Sequence, residues 1–283
     1  MPTKPYCIHN YFACYGFADF LRGTIALYYF CKKYNYDLYI DTTTSNVFKY
    51  LKPNTKYFLH DGIEKYYKNI SFYKYNCPGM SYHDIYINLE NSFKQGKSFI
   101  VSTNSMYNIN AQGIPQYWGD IEDNCKEFMR EILQPNTLLN NRIQDVFTNI
   151  YNMKENDKFK IIHSRSGDDF KKEDEQMCEN FHRKICKYME GDKNIEYILI
   201  CDNVYIGHNL NKNISLLKYW ENMKCHSGSK EKAVSDEGII NVLVDYFIMS
   251  KAYELLLIGP CGSGFSLSSS LIFGSKLKRK ETI

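Results

Sequence analysis

Three stretches of this sequence place charged or hydroxyl side chains beside glycine at spacings that suit anion and sugar chemistry. The first is His163-Ser164-Arg165-Ser166-Gly167-Asp168-Asp169, directly after the apolar run Lys160-Ile161-Ile162. A guanidinium keeps its proton and can hold phosphate oxygens through paired N–H bonds. Gly167 permits a tight turn, and Asp168 could orient Arg165 or meet a sugar hydroxyl. The plainer alternative is a surface turn with an internal Arg–Asp ion pair. The second stretch is Gly259-Pro260-Cys261-Gly262-Ser263-Gly264-Phe265-Ser266. Its small residues let backbone N–H groups approach an anion, and a helix starting there adds a favourable dipole. It has neither the Lys-Ser/Thr ending of an ATP-binding phosphate loop nor the glycine spacing of a dinucleotide turn. The third runs from Asn10 to Arg22, where Gly16, Asp19 and Arg22 are the groups best placed for contact; a helix cap with a solvated arginine is the competing account.

These stretches need elements that bring them to a common edge. Tyr6 to His9 reads as a short strand, and Phe17, Phe20, Leu21, Thr24, Ile25, Tyr28 and Cys31 recur at helical spacing. The helix should stop near Asn35, and Asp37 to Asp41 is the next parallel strand, a βαβ opening. Further strands are expected at Lys56 to Leu59 and Ser98 to Ser102. The Tyr-rich span from Asp61 to Asn91 gives no clear pattern. Helical patterns follow at Ile121 to Leu133 and Thr137 to Tyr151, before the charged run Lys154 to Lys158.

The second half repeats the rhythm. Strands are expected at Phe159 to His163, Tyr197 to Cys201, Ile214 to Tyr219 and Leu255 to Ile258. Helices are expected at Glu173 to Met189, Asn203 to Leu210 and Asp236 to Ala252. The implied architecture is α/β, with residues 1–153 and 154–283 forming two doubly wound lobes. Ligands should then lie in the cleft at the carboxyl ends of the strands.

Composition narrows the function. The 283 residues are 44% hydrophobic and 24% charged, so the chain can bury a core. A net charge of +3 with interspersed signs disfavours nucleic acid as a partner. The ten cysteines form no Cys-x-x-Cys pair, and no apolar signal core follows the N-terminus; reduced thiols and a cytoplasmic setting are expected. Leu255 to Ser275 is uncharged and long enough to span a bilayer, but over half of it is Gly, Pro, Ser and other turn chemistry, so no transmembrane segment is expected. No Asp-x-Asp pair or His/Cys cluster offers a metal site, and no divalent metal is expected.

Taken in order, the three stretches resemble the inverting fucosyltransferase superfamily. This group includes protein O-fucosyltransferases, α1,6-fucosyltransferases and their α1,2 relatives. Gly16-Phe17-Ala18-Asp19 is similar to the family's Gly-x-Gly-Asn/Asp loop, with Ala18 at its second glycine. The hallmark His-x-Arg-x-Gly-Asp falls on His163, Arg165, Gly167 and Asp168, with Ser166 where a second arginine is common. Cys201-Asp202-Asn203 loosely matches a strand ending in Ser-Asp. Asp245 to Ser250 matches a helix motif, and Ser263-Gly264-Phe265-Ser266 a Ser-x-Phe-Ser loop.

The resemblance implies a GT-B architecture: two Rossmann-like lobes facing a cleft, the first on the acceptor side and the second binding a nucleotide sugar. It implies that Arg165 stabilises the leaving diphosphate, assisted by Ser263, Gly264, Phe265 and Ser266, while Asp202 and Asp245 hold ribose or base or wall them in. Asp19 and His9 are the candidates for a base. The implied donor is GDP-fucose and the implied acceptor a glycan or protein hydroxyl. A rhamnosyl or mannosyl donor, a non-catalytic nucleotide- or glycan-binding module, and a structural α/β protein are the alternatives.

Overall fold

A computed structural model describes all residues except 1–3, 12–15, 61–63, 68–69, 77–78, 106, 110–114, 118–119, 167–173, 192–194, 223–234, 260–262 and 282–283. The described residues divide into two units, the second beginning at Thr137. The helical residues just after Thr137 thus group with the second unit, ahead of the charged run at 154–158.

The first unit runs β1 (Tyr6–Asn10), α1 (Phe17–Tyr34), β2 (Asp37–Asp41), β3 (Phe58–Leu59), α2 (Glu64–Tyr67), β4 (Ser71–Tyr75), α3 (Tyr82–Lys94), β5 (Phe99–Thr103), a small antiparallel pair β6 (Tyr107–Ile109) and β7 (Pro115–Tyr117), and α4 (Asp123–Ile132). Its main sheet is parallel throughout, in the order β3-β2-β1-β5-β4. The helix α1 ends where expected: Asn35 adopts the left-handed conformation at φ 58° and closes the last turn onto Cys31. It lies close against the sheet at Gly23, where a Cβ would fall 2.0 Å from the Thr103 carbonyl oxygen. The strand β3 is shorter than the sequence suggests because Asn54 bonds the backbone N–H groups of Lys56 and Tyr57 in a turn.

The second unit runs α5 (Thr137–Asp145), continued by a π-helical turn at Val146–Ile150, then β8 (Phe159–Ser164), α6 (Glu175–Met189), β9 (Glu196–Cys201), α7 (Val204–Asn213), β10 (Leu217–Tyr219), α8 (Asp236–Lys251), β11 (Glu254–Gly259), α9 (Gly264–Phe273) and β12 (Lys276–Glu281). Its sheet is also parallel, in the order β10-β9-β8-β11-β12. Central strands β8 and β11 are buried along their whole length, as their continuous apolar runs require. The strand β10 starts late because Ile214 still caps α7 and Leu217 turns back onto Ile214. Within the uncharged stretch from Leu255 to Ser275, residues up to Gly259 are strand and Gly264–Phe273 are helix, and among the described residues no helix is long and apolar enough to cross a membrane.

In this second sheet the chain steps outward from β8 to β9 and β10, then returns to β11 on the other side of β8. The reversal opens a crevice at the carboxyl ends of β8 and β11, the place where ligands of open α/β sheets bind.

Candidate functional site

Arg165 stands at that reversal. Its backbone N–H donates to the Ile258 carbonyl at 2.8 Å, extending the β8–β11 ladder by one residue. The next residue on β11 is Gly259, at φ +155°. A Cβ there would lie 2.0 Å from the Arg165 carbonyl oxygen, so only glycine lets the two strand ends approach this closely.

Asp202, just past the end of β9, fixes the Arg165 side chain. Its Oδ2 accepts from Arg165 Nη1 at 3.1 Å and from the Ser166 N–H at 3.1 Å; its Oδ1 accepts from the Ser166 N–H at 2.9 Å and hydroxyl at 2.8 Å. The Asp202 carboxylate is buried, whereas the Arg165 side chain stays 22% exposed. A guanidinium braced from one side and partly open to solvent is suited to gripping an anion. Asp202, expected among the ribose or base contacts, is thus occupied with Arg165 and Ser166. Gly167 and Asp168 lie outside the described residues.

His163 and Ser266 join the strand to the neighbouring helix. The buried His163 ring meets the Ser266 hydroxyl through Nδ1 at 2.5 Å, tying β8 to the first turn of α9. Ser263 is the N-cap of α9, yet its side chain makes no capping bond to the first turn. The first turn of this ten-residue helix is thus held against β8 at His163, two residues before Arg165, with the positive end of its dipole at that end. Gly264 and Phe265 are partly exposed in that turn. The Phe265 ring packs edge-on against Tyr246 at 5.4 Å, linking α9 to α8.

Asp245, on α8, is buried. Burial, with the Asp245 charge adding to it, raises the Tyr151 hydroxyl well above its ordinary range; burial raises that of Tyr219 too, with Cys201, Glu221 and Asp245 adding in that order. Nothing in the sequence pointed to Tyr151 or Tyr219, since tyrosine is everywhere in this chain. Nor did any motif mark Asp202 as the residue that braces Arg165, because the two are joined only by strand pairing.

In the first unit, Gly16 is the N-cap of α1, and its backbone N–H donates to Asp19 Oδ2 at 3.1 Å. The other Asp19 oxygen forms a close ion pair with Arg22 one turn on. The three residues singled out there do meet, in a helix cap. His9 is a core residue: fully buried, stacked on Phe20 at 4.4 Å, with its ring nitrogens 2.9 Å from the Thr24 hydroxyl and 3.3 Å from the Thr103 carbonyl. Burial pulls its pKa down to about 3, against the opposing pull of that carbonyl. Such a ring is neutral and out of reach of a bound hydroxyl.

A cavity of about 300 Å³ at the starts of β4 and β5 contains none of these residues and lies at the sheet edge opposite the ligand-binding one. Among the described residues no group of His, Cys, Asp and Glu has the arrangement of a metal site.

No family model matches the chain, and no curated protein matches it by sequence. Solved structures do match. The fucosyltransferase NodZ of Bradyrhizobium superposes with a TM-score of 0.59 at 14% identity, over 95% of this chain and 93% of that one. A NodZ α-1,6-fucosyltransferase structure soaked with GDP-fucose gives 0.57 at 14%, with the same coverage. A point variant of Arabidopsis thaliana FUT1 in complex with GDP gives 0.59 at 10% identity, over 98% of this chain and 70% of that chain. Two parallel α/β sheets in one chain, each with its helices, are the fold that this protein shares with these fucosyltransferases.

Proposed function

We propose that this protein is an inverting glycosyltransferase that moves fucose from GDP-fucose to a hydroxyl of a glycan or protein. The observation that carries the reading is Arg165. It is braced by Asp202 at the sheet's reversal point, two residues past the His163 that bonds the first turn of α9, in a fold with solved members co-crystallised with GDP or soaked with GDP-fucose. The acceptor oxygen attacks the anomeric carbon from the face opposite the leaving group. The C–O bond to the β-phosphate breaks, GDP departs with the electron pair, and the acceptor's proton goes to solvent or a base. Negative charge grows on the β-phosphate along this path. A fixed guanidinium and a helix terminus stabilise such charge without reorganising, the largest single contribution in many enzymes.

In this reading Asp202 is a positioning residue for Arg165, Ser266 with His163 fixes the first turn of α9, and Asp245 and Phe265 wall the nucleoside. A divalent metal is not required, because Arg165 and the helix terminus already supply positive charge. The deciding assay offers a panel of GDP-, UDP-, TDP- and CMP-sugars and follows nucleotide release and transfer. GDP-fucose should turn over fastest, and activity should survive excess EDTA. Preferred turnover of a UDP or TDP sugar overturns the donor assignment, and loss in EDTA restored by magnesium or manganese overturns the metal-free mechanism. Nucleotide binding with no turnover of any sugar leaves a binding module.

A further inference from the structure

A second polar group, unused by the donor site, meets at the carboxyl edge of the first sheet. The strand β1 ends at Asn10 and β2 at Asp41, and the two residues pair in register. Asp41 is fully buried. One of its oxygens accepts from the Thr43 N–H at 2.9 Å and the Thr43 hydroxyl at 2.6 Å. The other accepts from Asn10 Nδ2 at 3.2 Å and from the Tyr67 hydroxyl at 2.5 Å. Asn10 Nδ2 also lies 2.5 Å from the Tyr67 oxygen. Among the described residues Asp41 has no cationic partner, and the buried Asn10 Oδ1 has no hydrogen-bond partner.

Capping the short turn at Thr42–Thr44 accounts for the Thr43 bonds. It does not account for Asn10 or Tyr67. A carboxylate kept buried without a cation, next to an unpaired acceptor, is unfavourable for folding alone. Its location is informative as well. The first sheet reverses its strand order between β1 and β5, and the cluster sits on the ends of β1 and β2, at the ligand-binding edge.

The bonding restricts what the cluster can recognise. The Tyr67 hydroxyl gives its proton to Asp41 and already accepts from Asn10 Nδ2, so the acceptor left for a ligand is Asn10 Oδ1. It calls for a hydrogen-bond donor on the ligand. The buried charge of Asp41 opposes anions. The Tyr67 ring, 36% exposed, offers an apolar face of the kind that packs on the C–H face of a sugar.

We propose that Asn10, Asp41 and Tyr67 form the acceptor site, binding a hydroxyl of a neutral glycan, with Asp41 holding the Tyr67 hydroxyl in place. The assignment rests on the glycosyltransferase reading. Its test uses labelled full-length protein on an array of neutral, sialylated and sulfated oligosaccharides, with GDP-induced thermal shift measured on the same samples. Wild-type protein should retain neutral glycans above acidic ones. Tyr67→Phe should lower that signal about tenfold while keeping the GDP shift, which a misfolded variant could not do. Equal retention by Tyr67→Phe, preference for acidic glycans, or no retained glycan despite a normal GDP shift overturns the acceptor site and leaves the donor reading intact. Absence of a GDP shift in the wild type defeats the donor reading itself.

Discussion

Arg165 and Asp202 divide one task, and substitutions should separate their shares. In the proposed mechanism, Arg165→Ala removes the guanidinium that meets the growing phosphate charge. Asp202 keeps its bonds from the Ser166 N–H and hydroxyl, so the fold should survive. The expected loss is about 3–4 kcal/mol of transition-state stabilisation, a hundredfold or more in turnover. Arg165→Lys should recover little of it, because an ammonium lacks the planar fork that could keep one nitrogen on Asp202 and turn the others to a diphosphate. Asp202→Asn keeps the shape but weakens the brace, and a charged group displaced by an ångström can cost up to about a hundredfold. For Asp202→Asn we expect a fall in kcat larger than any change in donor KM, measured by initial rates on GDP-fucose. Wild-type kinetics in Arg165→Ala defeat the assignment. The residue types at this site were legible from the sequence, since an arginine among Ser and Gly after an apolar strand has few uses. The partner was not: Asp202 lies 37 positions away and meets Arg165 only because β8 and β9 pair.

At the scale of elements, the second sheet carries a charged network at the edge away from the crevice. Glu254 opens β11 and is buried together with Lys160 of β8. It receives Lys160 at 3.3 Å, Lys278 of β12 at 3.0 Å, and the Tyr188 hydroxyl of α6. Burial pushes the Glu254 carboxyl up, but bonds from Tyr188, Lys278 and Lys160 outweigh it and hold the carboxyl below its ordinary value of 4.5. A carboxyl depressed in the folded state stabilises above its unfolded value, and that contribution fades as pH falls through the lower folded value. Glu254→Gln takes away the carboxylate that faces the buried Lys160 ammonium, a loss of roughly 3–5 kcal/mol at neutral pH. Melting curves should show a fall of about ten degrees at pH 7. The gap between wild type and variant should narrow as pH drops below about 4.5; a constant gap would show that Glu254 acts through packing alone. The two outer strands that the sequence did not reveal, Ser71–Tyr75 and Lys276–Glu281, are sheet edges rich in exposed or charged residues. They lack the apolar run that marks a buried strand, and lysine on an edge is a guard against further pairing.

For the molecule as a whole, the donor reading makes a single thermodynamic demand: GDP must stabilise the protein more than UDP, ADP or CMP. A diphosphate can engage Arg165 and the start of α9 together, so CMP should be weakest. The N1–H and amino group of guanine together suit a carboxylate acceptor, a pattern uracil lacks, and in that reading Asp245 is the carboxylate proposed to meet them. Nucleotide at about a hundred times its dissociation constant contributes roughly 2.7 kcal/mol, a rise of several degrees in a thermal-shift scan. A larger rise with UDP or TDP refutes the guanine preference. The sequence by itself determined the alternation of strands and helices, because apolar runs and 3.6-residue periodicity are local and survive without neighbours. It also determined the positions of Arg165 and the Ser263 to Ser266 turn at strand ends, since strand, loop and helix there follow one another directly. Tertiary structure alone decided that β8 and β11 lie side by side, which brings Arg165 to Gly259 and His163 to Ser266. It likewise turned His9 into a core residue and assembled Asn10, Asp41 and Tyr67 at one edge. The reason is physical: strand order is set by which faces can be buried together, and no local pattern in the chain records it.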